Sequence, residues 1–152
     1  MVSLSVALVG LAGSLALIGV GGGLYEFSVV DAAWPRRPDL IQPVRGGISR
    51  RRFWIPAHVA FELALVAALI ITWYQPDIRF WLLVAVASHA VMRLWSAFDF
   101  IPKALAFERA DPAEFDAAAA RRWSNRSLLR LPLDLLTATA MLAAFATAVA
   151  IA

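Results

Sequence analysis

Five ionisable side chains stand deep inside otherwise apolar stretches of this sequence, and their types and spacing suggest acid–base chemistry. His58 and Glu62 are four residues apart, and so are His89 and Arg93, so each pair lies on one face of a helix. Asp134 is the fifth of the group. A buried histidine or carboxylate can act as a general base, and an arginine can stabilise a developing negative charge.

The stretches that carry these residues have the length and composition of transmembrane helices. Of the 152 residues, 61% are hydrophobic and only 16% are charged, and the mean hydropathy is +0.71. A helix needs about 20 apolar residues to cross a bilayer. We therefore expect an all-α, integral membrane four-helix bundle that forms a single domain over residues 1–152. The predicted spans lie near Leu4–Leu24, Phe53–Tyr74, Phe80–Phe98 and Leu128–Ile151.

The connections between the spans differ in kind. Gln75-Pro76-Asp77 predicts a tight turn, so the second and third spans should form an antiparallel hairpin. The first long connection, about Glu26–Arg52, contains three prolines and the pair Gly46-Gly47, which favour an irregular loop.

The second long connection, about Asp99–Arg126, should contain a short amphipathic helix that leads into the fourth span. Asp111-Pro112-Ala113-Glu114 has the form of a helix start, with Asp111 as the cap and Glu114 reaching back to it. Pro132 should kink or restart the fourth span because it lacks an N–H donor.

The basic residues predict the orientation of the bundle. Eleven of the fourteen lie in the two long connections, whereas the opposite turn holds only Arg79. By the positive-inside rule, the long connections are cytoplasmic and both termini lie outside, as expected in a bacterial inner membrane. The net charge of +3 is then explained by the orientation of the protein and by contact with lipid headgroups. The expected partners are membrane lipids, and no nucleic-acid partner is expected.

All five ionisable groups are predicted to lie at similar depth. At 1.5 Å per residue they fall about 8 to 13 Å inside the span ends nearest the long connections. Across the predicted hairpin, His58 lies at the same depth as Arg93, and Glu62 lies at the same depth as His89. An arginine at this depth needs a carboxylate partner, and only Glu62 and Asp134 are deep enough.

These observations predict a polar pocket for a hydrophobic, aromatic small molecule in the cytoplasmic half. A flat molecule would enter from the membrane between aromatic side chains of the hairpin. The predicted catalytic residues are His58, Glu62, His89 and Arg93. The predicted ligand-binding residues are Tyr25, Glu26, Phe61, Trp95, Phe98 and Asp134.

Two other interpretations of the charged group stay open. The residues could form a structural polar network between helices. The two histidines with Glu62 or Asp134 would also suit a two-histidine, one-carboxylate iron site or a zinc site. Arg93 argues against a metal because a fixed cation repels one, so we expect neither a metal nor another cofactor.

A non-catalytic function is the alternative to an enzyme. Gly19 and Gly23 form a small-xxx-small pair, which is typical of a close helix contact. A lipid-binding, ligand-binding or accessory protein that forms a homo-oligomer through this glycine-rich helix would fit the same composition.

Several short motifs resemble those of one family. A glycine-rich first span is followed by a Trp-Pro pair, a Phe-Trp pair with a following histidine, a proline after the third span, and an Arg-Trp pair before the last. This arrangement resembles the anthrone oxygenase-like family of small four-span membrane proteins. The matching residues are Gly19–Gly23, Trp34-Pro35, Phe53-Trp54 with His58, Pro102, and Arg122-Trp123 with Arg126.

The resemblance implies oxidation of an aromatic polyketide anthrone to a quinone by O₂, without metal or flavin. The sequence departs from the family at Pro102-Lys103-Ala104, where those proteins tend to carry Pro-x-Asn, which leaves the substrate open. The chemistry fits the residues, since His58, His89 or Glu62 could deprotonate an electron-rich phenol.

Overall fold

The computed structural model describes residues 3–152, and these form a bundle of four long helices with no strand. All four helices are long and apolar enough to cross a membrane, which confirms the predicted all-α membrane bundle and makes the chain an integral membrane protein. The helices are α1 (Leu4–Ala33), α2 (Arg51–Ile71), α3 (Pro76–Arg109) and α4 (Ala117–Ala150).

The hairpin between α2 and α3 has the predicted form. After Ile71 the hydroxyl of Thr72 donates a hydrogen bond to the Ala68 carbonyl at 2.8 Å, which satisfies one acceptor at the helix end. Pro76 then starts α3 in its first turn, where its missing N–H is no loss. We call this end of the bundle the turn end, and the opposite end, with the two long connections, the loop end.

Helices α1 and α3 continue beyond their predicted ends. Each passes through a π-helical turn, Glu26–Val30 in α1 and Ser96–Phe100 in α3, before it stops. At 1.5 Å per residue the 34 residues of α3 span about 51 Å, against a hydrocarbon core of about 30 Å. With the part beyond its π-helical turn, α3 is therefore longer than a single crossing requires.

The first connection is shorter than predicted because α1 reaches Ala33. Its irregular part covers residues 34–50 and contains two 3₁₀ turns, Pro38–Ile41 and Pro43–Arg45. Gly46 has a φ of 84°, which favours glycine. At Gly47 a Cβ would lie 2.2 Å from the Asp39 carbonyl oxygen, so no other residue fits this turn.

The start of α4 corrects the predicted cap. Asp111 caps only a 3₁₀ turn, Pro112–Glu114. The α-helix begins at Ala117, where the Asp116 carboxylate accepts the N–H groups of Ala118 and Ala119 at 2.9 Å. The helix is amphipathic, as predicted, with one buried face formed by Ala120, Trp123, Ser124 and Ser127.

The fourth span restarts where Pro132 predicts that it should. A 3₁₀ turn, Leu128–Arg130, interrupts α4, and the α-helix resumes at Leu131 with Pro132 in its first turn. Arg130 at the end of this interruption and Asp134 in the first turn after it are four residues apart, and both line one cavity.

Two clusters of buried side chains hold the molecule together. The bundle core joins the helices and is built of small and aliphatic residues, such as Ala12, Leu82 and Met141. The cap core lies at the loop end and consists of Trp34, Ile41, Phe100, Ala120 and Trp123. Around the bundle, α1 packs closely against α2 and α4, and α4 against α3, whereas α2 and α3 pack together over a much shorter length.

The glycines of α1 allow its close approach to α2. At Gly22 a Cβ would lie 2.4 Å from the Phe53 ring, and Gly23 is buried with its Cβ position 4.0 Å from Trp54. Gly19 has no neighbour within 4 Å at its Cβ position. Of the predicted pair, Gly23 thus contacts α2 and Gly19 does not, and the closest approach is at Gly22.

Candidate functional site

A cavity of about 330 Å³ lies between the bundle core and the cap core. Most of its surface is apolar, but charged side chains from all four helices reach it. This combination is typical of sites for small apolar molecules that carry a few polar groups. Its wall includes Glu26, Asp31, Arg50, Trp54, His58, Met92, Arg93, Phe100, Trp123, Arg130 and Asp134.

The hairpin brings together three of the predicted catalytic residues. Glu62 Oε1 on α2 lies 3.2 Å from His89 Nε2 and 3.0 Å from Arg93 Nε, both on α3. This contact agrees with the sequence analysis, in which Glu62 and His89 lie at the same predicted depth in the bundle. The carboxylate partner of Arg93 is Glu62, whereas Asp134 forms no ion pair among the described residues. One carboxylate oxygen therefore holds both a histidine and a cation in place.

His58 sits beside this group and faces the main cavity. Its ring stacks on Trp54 with centroids 5.4 Å apart and an interplanar angle of 23°, and lies 5.7 Å from the His89 ring. Trp54 is itself fixed, since its Nε1 donates to Glu26 Oε2 at 2.5 Å. No side chain of the described chain hydrogen-bonds to the His58 ring, so its nitrogens remain available to a ligand.

A smaller cavity of about 30 Å³ adjoins the main one. His58 and Asp134 line both cavities, which places these two residues at the boundary between them. Phe61 and His89 line the smaller cavity and meet edge to face, with ring centroids 4.9 Å apart. The His58 ring thus lies between the wide cavity and the narrow one, whereas His89 faces the narrow cavity alone.

Arg50 closes the cavity toward the loop end. It is only 9% exposed, and its guanidinium lies 3.2 Å from Glu26 and 3.4 Å from Glu108. It also sits over the rings of Trp34 and Trp123, at 5.8 and 5.5 Å. Two carboxylates and two aromatic faces together offset the desolvation of one buried cation.

The two π-helical turns position part of this wall. The turn in α1 places Glu26 in the cavity, and the turn in α3 places Ser96 and Phe100 there. Arg130 of α4 donates to the Ser96 hydroxyl at 2.9 Å and lies over the Phe100 ring at 4.5 Å. Single π-helical turns inside α-helices occur frequently at functional sites.

Seven of the ten predicted site residues belong to the site. His58, Arg93, Glu26 and Asp134 line the main cavity. Glu62, His89 and Phe61 join the site through the contacts given above.

The three remaining predicted ligand residues lie away from both cavities. Tyr25 is 60% exposed and Phe98 is 82% exposed, whereas Trp95 packs on Phe100 with ring centroids 5.4 Å apart. Phe61 is only 4% exposed in the bundle core, so these aromatic residues do not form the path from the membrane that the sequence predicts.

Sequence reasoning missed several charged residues of the cavity. Arg50 and Glu108 were indistinguishable from other residues of the long connections, because their burial depends on how the cap core folds. Asp31 was also missed; it is 7% exposed and accepts hydrogen bonds from Trp34 Nε1 at 2.7 Å and the Ser127 hydroxyl at 3.4 Å. A sequence signal was available for one further residue of the wall, Trp54, since a tryptophan one turn before a histidine can stack on it.

Three side chains of the site also have the spacing of metal ligands. One ligand atom each from His58, Glu62 and His89 lie within 4.8 Å of one another. Two imidazoles and a carboxylate would suit iron or zinc. The Arg93 guanidinium contacts the same carboxylate oxygen that faces His89, so the Glu62 carboxylate already has a cationic partner.

No protein-family model, curated protein or solved structure matches this chain.

Proposed function

We propose that this chain binds a hydrophobic, aromatic small molecule in the main cavity and oxidises it with O₂ after base-assisted deprotonation. One observation carries the proposal: His58 and Arg93 face a mostly apolar cavity of about 330 Å³ between membrane-crossing helices. The sequence resemblance to the anthrone oxygenase-like family supports the same chemistry.

His58 is our candidate for the base. It lines the main cavity, and its ring is oriented by Trp54 rather than by a hydrogen bond, so a nitrogen can reach a substrate proton. His89 is held by Glu62 and lines only the smaller cavity. The His89–Glu62 pair can accept the proton from His58, because a ligand atom of each of the three residues lies within 4.8 Å of the others and both histidines line the smaller cavity.

Arg93 is our candidate for stabilising the substrate anion. Its Nε faces Glu62, which leaves both NH₂ groups of the guanidinium for a ligand oxygen. A CH₂ group between two aromatic rings loses a proton to the base, and the carbanion reduces O₂ and forms a C–O bond. The resulting peroxide loses water and leaves a carbonyl, so CH₂ and O₂ become C=O and H₂O.

The proposed location is a bacterial inner membrane, with the loop end in the cytoplasm and both termini outside. The distribution of arginines supports this orientation. A reporter that is active only in the cytoplasm should therefore stay silent when it is fused to Ala152, and strong activity would place the cavity on the outer side.

The function is tested by the oxidation of anthrone by purified protein in nanodiscs, followed as O₂ consumption and quinone absorbance. We expect His58→Ala to lower kcat by about 10²-fold or more, the usual effect of losing a general base. Glu62→Gln should also lower kcat, because it removes the partner of both His89 and Arg93. Glu114→Gln is the matched control, since Glu114 is exposed and lines neither cavity.

A binding protein without catalysis is the alternative outcome. Saturable binding of anthrone without any O₂ consumption above the protein-free rate would assign the cavity to a lipid-binding, ligand-binding or accessory protein. Full turnover in a well-folded His58→Ala variant would remove the acid–base role from this site.

A metal-dependent oxygenase is the second candidate, because His58, Glu62 and His89 approach one another as ligands would. Elemental analysis of protein purified without chelators separates the two. About one iron or zinc per chain, with the metal lost in the Glu62→Gln variant, would show that these residues are ligands. The contact of Arg93 with Glu62 favours the metal-free mechanism.

A further inference from the structure

We propose that the main cavity opens sideways into the membrane through a slit between α2 and α3, and that its ligand is an aromatic molecule dissolved in the bilayer. This inference rests on the proposed function and specifies the class of substrate and the route by which it arrives.

One rim of the slit is a stripe on α2. Arg51, Ile55 and Val59 are spaced four residues apart, and all three line the cavity. They are also exposed to the surroundings of the protein: Arg51 by 56% of its side chain, Ile55 by 58% and Val59 by 48%. Side chains that belong both to the cavity wall and to the outer surface mark an opening.

The other rim is a stripe on α3, where it extends past its π-helical turn. Ile101, Leu105 and Glu108 are spaced four and three residues apart, and all line the cavity. Ile101 is 43% exposed. The gap between the rims follows from the bundle itself, because α2 and α3 are neighbouring helices that pack together over only a short length.

An ion pair bridges α2 and α3 at each end of the slit. Arg51 Nη2 lies 3.1 Å from Glu108 Oε2 toward the loop end, and Arg93 Nε lies 3.0 Å from Glu62 Oε1 toward the middle of the bundle. From Arg51 to Glu62, α2 rises about 16 Å at 1.5 Å per residue. That length admits a planar system of several fused rings, with apolar rim residues on both sides.

The chemistry of the slit selects its occupant. Exposed isoleucine and valine on membrane-crossing helices face lipid, so the opening is apolar where it meets the bilayer. A water-soluble anion would first have to displace the Arg51–Glu108 pair. A lipid acyl chain would offer no polar group to His58 and Asp134 on the inner wall, whereas an aromatic phenol or ketone brings polar groups to them.

The absence of cysteine from the sequence allows a direct test. Ile55→Cys and Val59→Cys, labelled with a bulky maleimide, should obstruct the slit. Leu63→Cys is the matched control, because Leu63 continues the same stripe by one turn, is 67% exposed and lines neither cavity. Hydroxypyrene dissolved in nanodisc lipid serves as the probe, and energy transfer from tryptophan reports its loading.

We expect labels at Ile55→Cys and Val59→Cys to slow the loading of hydroxypyrene about tenfold or more, and the label at Leu63→Cys to leave it unchanged. Bound hydroxypyrene should also protect both slit cysteines from labelling, but not the control cysteine. Pyrenetetrasulfonate, which stays in water, should not load.

The outcomes separate this inference from the proposed function. Unchanged loading of hydroxypyrene in both labelled slit variants, or equally fast loading of pyrenetetrasulfonate, would overturn the lateral opening and leave the proposed function standing. A lack of saturable hydroxypyrene binding to the unlabelled protein would overturn both. Retention of phospholipid in the cavity, with hydroxypyrene unable to displace it, would also overturn an aromatic ligand.

Discussion

The two ends of this bundle are stabilised in different ways. Toward the turn end, the bundle core consists mainly of alanine, with leucine, valine, isoleucine, methionine and Phe61, and small residues let the helices approach: a Cβ on Gly10 would lie 3.0 Å from the Phe145 ring. Toward the loop end, tryptophans and phenylalanines of the cap core surround a buried arginine with two carboxylate partners.

The difference shows where the protein can hold a ligand. Helices that meet through alanine and glycine leave no space between them, and their attraction is mainly van der Waals contact. Large aromatic rings and paired ions keep the helices further apart and leave the main cavity between the two cores. The ionisable residues of the candidate site lie at this boundary, where polar partners are available.

Arg50→Met should have the largest effect, because it leaves Glu26 and Glu108 without their shared partner. Removing one member of a buried ionic group typically lowers stability by about 3 to 5 kcal/mol. Hydrogen exchange should show faster exchange in residues 34–50 and 101–127, with the turn end of the bundle unchanged.

Arg37→Met is the control for Arg50. The Arg37 side chain is 66% exposed, and Asp39 is its one ion-pair partner within residues 3–152, so its loss should hardly change stability. Equal acceleration of exchange at both ends of the bundle in Arg50→Met would show that the two cores do not unfold separately.

Arg93→Met should have a smaller effect at the boundary between the two ends. It leaves Glu62 without a cation and should lower stability by about 1 to 2 kcal/mol, the range of polar contacts between membrane helices. Adding Glu62→Gln should restore much of this loss, whereas adding Asp134→Asn should not. Chemical denaturation of the single and double variants in mild detergent measures these differences in stability. Rescue by Asp134→Asn would show that Asp134, and not Glu62, is the partner of Arg93.

The sequence predicts features that depend on one segment at a time. The four spans, the hairpin and the restart at Pro132 follow from apolar length and from the missing N–H of proline. The grouping of Glu62 with His89 follows from depth in an antiparallel hairpin. Which arginine is buried depends instead on packing between distant segments, so Arg50 could not be distinguished from Arg51 or Arg52. The same limit applies to the slit, since its rims come from two helices.

The helix cap at Asp116 was missed for a different reason. Asp111 and Asp116 are both acidic residues ahead of an alanine-rich helix, and Pro112 made the first of them the better match to a helix start. The chain instead forms a 3₁₀ turn after Asp111 and places Asp116 at the true start. Local capping rules identify candidates for a cap, but the packing of Ala120 and Trp123 into the cap core decides between them.

Asp116→Ala should have the smallest effect, because this carboxylate is exposed and touches neither the cap core nor the cavity. Hydrogen bonds from the backbone N–H groups of Ala119 and Ala118 keep the pKa of Asp116 below its usual value. A carboxyl group whose pKa is lowered by folding stabilises the folded state at pH values above its unfolded-state pKa, which is about 3.9. This stabilisation is lost as the pH falls through the pKa of the folded state. The melting temperature of Asp116→Ala should therefore lie slightly below that of the parent protein at neutral pH, and the two should converge as the pH falls below about 4.

Asp111→Ala, which removes the cap of a 3₁₀ turn alone, is the matched control and should change the melting temperature less at every pH. A larger loss in Asp111→Ala than in Asp116→Ala would mean that the helix start predicted from the sequence, rather than the one at Ala117, is the start that stabilises the loop end.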